Sequence, residues 1–566
     1  MNSSFLLLVR HFFGRFFDND IVSQSGDMRT NVVQALGLVA VPGMFVSFYM
    51  LPQRVRFDQP FLHNWVLIGD YYFFVLYSMI VMGFVMVFEW DALFPDRKDY
   101  LILTPLPIGG NAVFAAKMAA LVIFLGLFVI DTNLFCTMLA PMIAGPAGTS
   151  PAVAWRLVVG HVAAVVSAGV FVALTFASIQ GVLINVLSAR AFRRISPWVQ
   201  MASMGVLITI LFLTPMLIAS IRPLVEQDSP LLRWFPPFWF LGWYMDLLPG
   251  RPGGVVFHEL APLAKNALAI SAVAFAVTYL AGYHRHARRV MESIETAGEG
   301  PGWVRTRFDR LVNRWLLADP LERATFHFIS NTVLRNTRQR LFLATIGGIA
   351  FALALPAVVR IGARPGAPMA SFLPAGMLEI PLTLSFFAVT GLRAVFNFPA
   401  ELRANWVFQV CENEDRMIHI DAVRKWILTM GIAPIFLLLT PFEIAIRGWM
   451  PAFIHLTFAL LLALLLLNLL LVWFRKIPFT CSYFPGKTSM AVMFALYLAG
   501  FTTYSWTMGD VERDGLQHPF HLVLFYVAGM LALPGLARLE RSEFKVDDAL
   551  IYEDEPDPIV RSLEIG

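Results

Sequence analysis

Two long apolar stretches of the chain are separated by the segment Trp90-Asp-Ala-Leu-Phe-Pro-Asp-Arg-Lys-Asp-Tyr-Leu-Ile-Leu-Thr-Pro-Leu-Pro-Ile108. This segment carries five charged residues and three prolines, so it interrupts the apolar pattern instead of continuing it. A simple turn between two membrane spans needs only a few polar residues. Here the charged cluster runs on into an apolar stretch stiffened by proline. This combination favours a rigid surface that meets a partner on one side of a membrane.

The amino-acid composition indicates a membrane protein. Of the 566 residues, 58% are hydrophobic and only 14% are charged, whereas a soluble domain carries about 25% charged residues. The mean hydropathy is +0.66. The net charge of +4 is small and gives no indication of a nucleic-acid partner. The three cysteines are far apart and have no histidines at ligand spacing, so neither a disulfide framework nor a metal site is predicted.

Apolar stretches long enough to cross a bilayer recur along the whole chain. A span needs roughly 20 apolar residues, and twelve stretches meet this criterion. We therefore predict an all-α polytopic membrane protein with about twelve transmembrane helices. The stretches are Val32–Leu51, Asn64–Phe88, Asn111–Ala144, Trp155–Leu187, Gln200–Ile221, Pro262–Tyr283, Leu341–Ile361, Pro374–Phe396, Trp426–Ile446, Met450–Phe474, Met490–Gly509 and Pro519–Leu536.

Basic residues orient these predicted spans. With the N-terminus in the cytosol, most of the 43 lysines and arginines fall in inner segments, and the central segment from Arg285 to Arg340 holds the largest share. This distribution follows the positive-inside rule, so both termini are predicted to be cytosolic. The apolar start, Met1–Phe17, contains two arginines and is expected to be a retained amphipathic segment.

The spans divide into two halves, which predicts two six-helix pseudo-repeats. Each half begins with a basic, partly apolar segment and has a charged inner loop after its second span. In the second half this loop is 398–414. The predicted divisions are a first six-span half with its N-terminal interfacial helix (1–291), a cytosolic linker (292–323), a second half (324–540) and an acidic cytosolic tail (541–566).

Acidic residues and tryptophans mark the predicted outer side. A carboxylate within a span is costly in hydrocarbon and often functional, although a position near the headgroups also allows an interface carboxylate that water or lysine reaches. Both alternatives stay open. The aromatic segment 233–249 fits either an ordinary interfacial belt or a short helix over a transport pathway. The residues assigned to a pathway or outer gate are Asp70, Asp131, Glu379, Glu443, Trp239 and Trp243.

The stretch from Asp96 to Ile108, followed by Lys117, resembles the inner loop of permeases of the type 2 ABC exporter superfamily. Members of that group carry an acidic residue, an xxLLxxLPI/V pattern and a later lysine after the second span. The resemblance implies that the loop is a coupling helix that docks on a separate cytosolic ATPase. The residues that match the pattern are Asp99, Leu101, Leu103, Pro105, Leu106, Pro107, Ile108 and Lys117.

This resemblance implies a transport subunit and not an enzyme, with ATP and Mg²⁺ bound by the partner ATPase and no cofactor in this chain. Its other expected partners are membrane lipids, and its expected location is the bacterial cytoplasmic (inner) membrane. The residues expected to couple to the ATPase are Asp96, Arg97, Lys98, Asp99, Tyr100, Leu101, Pro105 and Pro107 in the first inner loop, and Glu401, Arg403, Trp406, Glu412 and Glu414 in the second.

Two other function classes fit the sequence less well. A secondary transporter of the major facilitator kind also has six plus six spans, and its loop often reads G-x-x-x-D-R-x-G-R-R. Asp96 and Arg97 fit that pattern, but Ala92 and Asp99 occupy its glycine positions. An integral-membrane transferase would need a paired catalytic acid and basic cluster on one face, and the sequence offers no such pair. An unidentified amphipathic or lipid-like cargo fits the apolar spans best.

Overall fold

A computed structural model describes the parts of the chain that are discussed below. The described residues are 2–16, 36–37, 39–40, 43–44, 60–93, 103, 109–144, 151–248, 254–292, 303–362, 375–400, 402, 405–410, 417–481, 490–546, 550 and 552. They are predominantly helical, with no strand among them. Ten of their helices are long and apolar enough to cross a membrane. This is the architecture of a multi-pass membrane protein with an all-α fold.

The ten candidate membrane-spanning helices coincide with ten of the twelve predicted spans. The predicted first span, Val32–Leu51, lies mostly outside the described residues. The predicted eleventh span, Met490–Gly509, is helical but is not among the ten candidates. Twelve spans therefore stay a prediction.

The chain divides into two compact units, Met1–Glu299 and Gly300–Gly566. The boundary falls inside the segment 292–323 that the sequence predicts to be a linker. The described helices of unit 1 are α1 (Asn2–Arg15), α2 (Pro60–Phe88), α3 (Gly110–Ala144), α4 (Pro151–Val186), α5 (Ala189–Glu226), α6 (Leu231–Trp234), α7 (Pro236–Leu247) and α8 (Gly254–Glu292).

Unit 2 contains the remaining described helices and two π-helical segments. One π-helical segment, Leu428–Ile432, joins α14 to α15, and the other, Thr503–Thr507, joins α17 to α18. The helices are α9 (Trp303–Trp315), α10 (Pro320–Arg335), α11 (Thr337–Gly362), α12 (Ala375–Val395), α13 (Asn405–Val410), α14 (Met417–Ile427), α15 (Ala433–Arg447), α16 (Trp449–Leu471), α17 (Met490–Thr502), α18 (Met508–Gln517) and α19 (Pro519–Val546).

The second predicted span of each unit is its central helix. In unit 1 this helix is α2, the most buried of the ten candidate spans, and it packs against α3, α4, α5 and α7. In unit 2 it is α12, the next most buried, and it packs against α11, α15, α16 and α18. A helix that is apolar on every side is stable when other helices surround it. Composition alone does not account for the central position of α2 and α12, however, because α3 and α16 are more apolar and less buried.

Polar side chains tie each central helix to its neighbours. Ser78 of α2 donates a hydrogen bond to the Val165 carbonyl oxygen of α4 (2.8 Å) and accepts one from Asn133 of α3 (3.1 Å). In unit 2, Ser385 of α12 shares a hydrogen bond with the Tyr504 hydroxyl at 3.1 Å. Such bonds between helices hold membrane bundles together, because lipid offers no competing partner.

The two units repeat one order of helix packing. The helix that precedes the predicted first span packs against the third span, as α1 on α3 and α10 on α14. The second span packs on the fourth (α2 on α4, α12 on α16), and the fourth on the sixth (α4 on α8, α16 on α19). A short helix before the sixth span packs on both the second and the sixth, as α7 and α18 do. This shared order supports the predicted pseudo-repeat.

A glycine allows the short helix α7 to lie close against α8. A Cβ atom at Gly242 would lie 2.5 Å from Leu260 Cβ and 2.8 Å from the Phe257 carbonyl oxygen. The second contact is with backbone, which cannot rotate aside as a flexible side chain can. The close approach of α7 and α8 therefore requires glycine at this position.

We expect Gly242→Ala to destabilise unit 1 by about 1–3 kcal/mol, since the added methyl group overpacks the contact between α7 and α8. Thermal unfolding of the purified protein in mild detergent measures this effect. The matched control is Gly347→Ala in α11, where a Cβ would meet nothing within 4 Å. This control should leave the unfolding temperature unchanged or slightly higher. Equal unfolding temperatures for the two variants would contradict the close contact of α7 and α8 at Gly242.

Candidate functional site

The first inner loop is held where it leaves α2. We call residues 87–93 the first loop root. Within it, the buried Trp90 indole Nε1 donates a hydrogen bond to Ser196 Oγ of α5 at 2.9 Å. The Trp90 carbonyl oxygen accepts a hydrogen bond from the side-chain amide of Gln180 in α4. Trp90 is thus fixed on both its side chain and its backbone.

Two further buried contacts fix the ends of the first loop root. The Gln200 side-chain amide of α5 donates to the Val87 carbonyl oxygen at 2.9 Å. The Tyr279 hydroxyl of α8 donates to the Leu93 carbonyl oxygen at 2.8 Å. Each such bond contributes about 1 kcal/mol net, and breaking one leaves a buried polar group without a partner. Three helices, α4, α5 and α8, therefore hold the start of the loop against the end of the central helix.

The motif residues of the first loop are only partly described. The eight residues predicted to couple to the ATPase, from Asp96 to Pro107, lie outside the described residues. Leu103, a residue of the family pattern, is half-buried and packs against the hydrophobic core formed around α1 and α3. Leu103 thus packs against the core of unit 1.

The second inner loop is also held at its start, which we call the second loop root, residues 396–400. The Phe479 backbone N–H donates to the Phe396 carbonyl oxygen, and the Ala400 N–H donates to the Phe479 carbonyl oxygen, both at 3.2 Å. The Gln339 side-chain amide of α11 donates to the Phe398 carbonyl oxygen at 3.3 Å. The second loop root is thereby paired with a segment that follows α16 and with the start of α11.

Of the residues predicted to couple through the second loop, the structure describes Trp406, whose side chain is exposed on the short helix α13. Its neighbour Asn405 is buried and donates to the Thr480 carbonyl oxygen at 2.7 Å. The predicted residues Glu401, Arg403, Glu412 and Glu414 lie outside the described residues.

In each unit, a lysine near the predicted inner end of the third span reaches the helix that precedes the predicted first span. The Lys117 ammonium of α3 lies over the Phe12 and Phe16 rings, 5.1 and 5.4 Å from their centroids. The Lys425 ammonium of α14 pairs with the Glu322 carboxylate of α10 at 2.6 Å. The buried Lys117 ammonium needs such partners because it has lost most of its water, whereas the Lys425 ammonium is only half-buried. Sequence analysis identified Lys117 as part of the motif and missed Lys425.

The predicted outer residues of unit 1 occupy several helices. Asp70 is half-buried in α2, and Asp131 is half-buried in α3 near Tyr77 of α2. Trp239 donates its indole N–H to the carbonyl oxygen of Arg233 at 3.0 Å. Both Trp239 and its neighbour on α7, Trp243, pack against the core of unit 1. The two tryptophans therefore help to seat α7, and a short helix was one of the two alternatives for the segment 233–249.

A buried histidine on the fourth span of each unit bonds to the short helix that precedes the sixth span. In unit 1, His161 Nδ1 of α4 lies 2.7 Å from the Tyr244 hydroxyl of α7. In unit 2, His455 Nδ1 of α16 lies 2.6 Å from Glu512 Oε1 of α18. Sequence analysis missed these four residues. The signal available in the sequence was a histidine at a matching position in the fourth predicted span of each half.

In unit 2, a second ion pair lies near His455 and Glu512. Arg447 Nε is 2.6 Å from Glu443 Oε2, and both side chains are buried. Glu512 lies within electrostatic range of both groups. We call these four residues the outer cluster, because the charge pattern predicts that they lie on the outer side. Glu379 packs against Gly509 of the helix that carries Glu512, so two predicted gate residues, Glu379 and Glu443, lie close to α18.

The electrostatics of the outer cluster are dominated by burial. Burial raises the pKa of the Glu512 carboxyl above its usual value of 4.5, and the hydrogen bond with His455 opposes this shift. Among the described residues, His455 Nε2 and Glu512 Oε2 have no hydrogen-bond partner. No group of three or more potential metal ligands is found in the described part of the chain. Buried ionisable groups of this kind are costly to keep, which indicates a functional role.

Comparison with models of known protein families finds no match, and searches of curated proteins and of solved structures also find none.

We expect Gln200→Leu to loosen the first loop root, because the Val87 carbonyl oxygen loses its partner. Leaving a buried carbonyl unpaired costs about 1–3 kcal/mol, so amide hydrogen exchange in residues 89–93 should accelerate about tenfold or more. Mass spectrometry of the exchanged protein measures this rate. The control, Gln227→Leu at the exposed end of α5, should leave it unchanged. Identical exchange in the two variants would show that the loop root is not held by Gln200.

We expect the contribution of Glu512 to the stability of the wild-type protein to fall as the pH rises above about 4.5, since a raised pKa means that ionisation of Glu512 disfavours the folded state. Glu512→Gln removes this ionisation, so its unfolding temperature should fall less over the same pH range. Asp510→Asn, on an exposed residue of the same helix, should keep the wild-type slope. Thermal unfolding across the pH range measures the three slopes. If the unfolding temperature of Glu512→Gln depends on pH as strongly as that of the wild type, ionisation of Glu512 makes no such contribution.

Proposed function

We propose that the chain is the membrane-spanning permease subunit of a type 2 ABC exporter. In this proposal it has twelve transmembrane helices in two six-helix pseudo-repeats, and both termini are cytosolic. It resides in the bacterial cytoplasmic (inner) membrane. ATP and Mg²⁺ are bound by separate cytosolic ATPase subunits that dock on the two inner loops.

The observation that carries the proposal is the fixed root of an inner loop in each unit. Each root continues directly from the central helix of its unit, α2 or α12, and buried or half-buried hydrogen bonds hold it to neighbouring helices. A push on a loosely attached loop would be absorbed by local movement. A push on a loop with a fixed root moves the helices that hold it. This arrangement suits a subunit that receives force from a partner ATPase.

The repeated packing order and the two lysines also support the proposal. An exporter driven by two ATPase subunits needs two equivalent receiving surfaces. In each unit a helix before the predicted first span is attached to the third span through a lysine, Lys117 or Lys425. Movement of an inner loop can therefore reach the membrane-surface helices of both units by the same route.

The proposed cargo is amphipathic or lipid-like, because the spans are overwhelmingly apolar and the charged groups concentrate near their ends. The outer gate in this proposal lies near Asp70, Asp131, Glu379 and Glu443, together with the tryptophans of α7. The direction of transport follows from the resemblance to exporters.

A second candidate function, a proton-coupled secondary transporter, is favoured by the outer cluster. The buried pair of His455 and Glu512 can exchange a proton, and buried pairs of this kind form proton relays in pumps and transporters. This candidate requires no partner ATPase, so the composition of the purified assembly distinguishes the two.

Replacing Asp96, Arg97 and Asp99 together by alanine should abolish transporter-stimulated ATPase activity without loss of expression, since these charges are proposed to contact the ATPase. The measurement uses the chain reconstituted with the ATPase that co-purifies with it from mild-detergent membranes. The control replaces Arg222, Glu226 and Asp228, which carry the same charges at the exposed end of α5. It should retain full stimulation.

Unchanged ATPase stimulation in the first variant would overturn the coupling role of this loop. A single-chain preparation that holds no ATPase after cross-linking, and that moves cargo in response to a proton gradient, would support the secondary transporter instead.

A further inference from the structure

Helix α9 carries a surface that the proposed function does not use. Its sequence is Trp303-Val-Arg-Thr-Arg-Phe-Asp-Arg-Leu-Val-Asn-Arg-Trp315. Four arginines and one aspartate give it a strong positive charge, and a tryptophan stands at each end. The sequence predicts only a cytosolic linker here, so the structure adds a defined helix with a distinct charge pattern.

One face of α9 is fixed to α10. Val312 is buried and belongs to the same hydrophobic core as Phe326 of α10. His327 of α10 donates through Nε2 to the Asn313 side-chain oxygen at 2.9 Å. The helix is therefore an ordered part of unit 2, and its opposite face has a defined direction.

That opposite face is apolar along one edge. Trp303, Leu311 and Trp315 are 68%, 62% and 79% exposed, which is unusual for large apolar side chains outside a membrane span. Leu311 and Trp315 are four residues apart and lie on neighbouring positions of the helix surface. An exposed apolar edge of this kind is typical of a surface that contacts another apolar or interfacial layer.

Arginines line the same face beside this apolar edge. Arg307, Arg310 and Arg314 are exposed. The Arg307 guanidinium lies 4.8 Å from the centre of the Trp303 ring, and that of Arg314 lies 5.9 Å from the Trp315 ring. These contacts hold the positive groups and the indole rings together in one surface.

The chemistry of this surface matches a layer of anionic lipid headgroups. Tryptophan is enriched at the membrane–water interface, and amphipathic helices with a basic face lie in the plane of that interface. Each arginine near an anionic surface contributes a factor of about five in binding.

The position of α9 also fits, because α10 ends at Arg335 and the candidate span beginning at Thr337 follows directly. At about 1.5 Å per residue, α10 keeps α9 within about 25 Å of that span.

We propose that α9 lies on the cytosolic surface of the bilayer and binds anionic phospholipids. Leu311 and Trp315 sit in the headgroup layer, and Arg307, Arg310 and Arg314 contact lipid phosphates. This role is independent of which transport mechanism the protein uses. It makes the start of unit 2 sensitive to the anionic lipid content of the membrane.

The test uses the full-length chain, with its three cysteines replaced, in lipid nanodiscs. A fluorophore on Leu311→Cys should be quenched by nitroxide-labelled lipid and protected from aqueous iodide when the disc contains phosphatidylglycerol. In discs of phosphatidylcholine alone, the protection should fall. Changing Arg307, Arg310 and Arg314 to glutamine should reduce the ratio of bound to free helix about a hundredfold. Changing the same residues to lysine keeps the charge and should preserve binding.

Three results would overturn the proposal. The first is equal access of iodide to Leu311→Cys in both kinds of disc, and the second is protection that the glutamine substitutions leave intact. The third is protection that arises only after a cytosolic ATPase is added, which would assign the surface to a protein partner. Because the lipid comparison uses unaltered arginines, it still decides the question if the glutamine variant fails to fold.

Discussion

Hydrocarbon offers no hydrogen-bond partner, and the described architecture follows from that constraint. Every backbone group in a span must be satisfied within its own helix, so the chain can cross the bilayer only as helices. Polar side chains in the spans must find partners on other helices. Ser78 therefore bonds to α3 and α4, and Ser385 bonds to Tyr504. These few bonds hold the central helix of each unit among its neighbours, where apolar packing alone would be as favourable against lipid as against protein.

Each central helix is connected to polar contacts at both ends. At the predicted inner end, the loop roots continue from α2 and α12 and are held by buried or half-buried hydrogen bonds. At the other end, each central helix packs against the short helix, α7 or α18, that bonds to a buried histidine. Because a rigid helix moves as one body, a displacement at one end also moves the other end. The arrangement gives each unit a physical route between its loop root and a buried histidine.

The two units share this route but differ in the chemistry at its outer end. His161 meets a tyrosine hydroxyl, whereas His455 meets a carboxylate that has a second ion pair nearby. A neutral pair costs less to bury than charged groups, because burial penalises charge most strongly. The charged version in unit 2 is therefore not required by the fold, since unit 1 keeps the same packing without it. The two units therefore differ in how costly this contact is to bury.

Composition and periodicity were sufficient to predict an all-α chain and the positions of ten candidate spans, whereas the aromatic segment stayed open between an interfacial belt and a short helix. These features depend on residues close together in sequence, and the length and apolarity of each segment decide them. The partners of polar residues could not be predicted in the same way. Lys425 pairs with a glutamate 103 residues away, and His455 with a glutamate 57 residues away. Only the tertiary structure decides such pairs, because helix packing, and not local sequence, brings distant side chains within bonding distance.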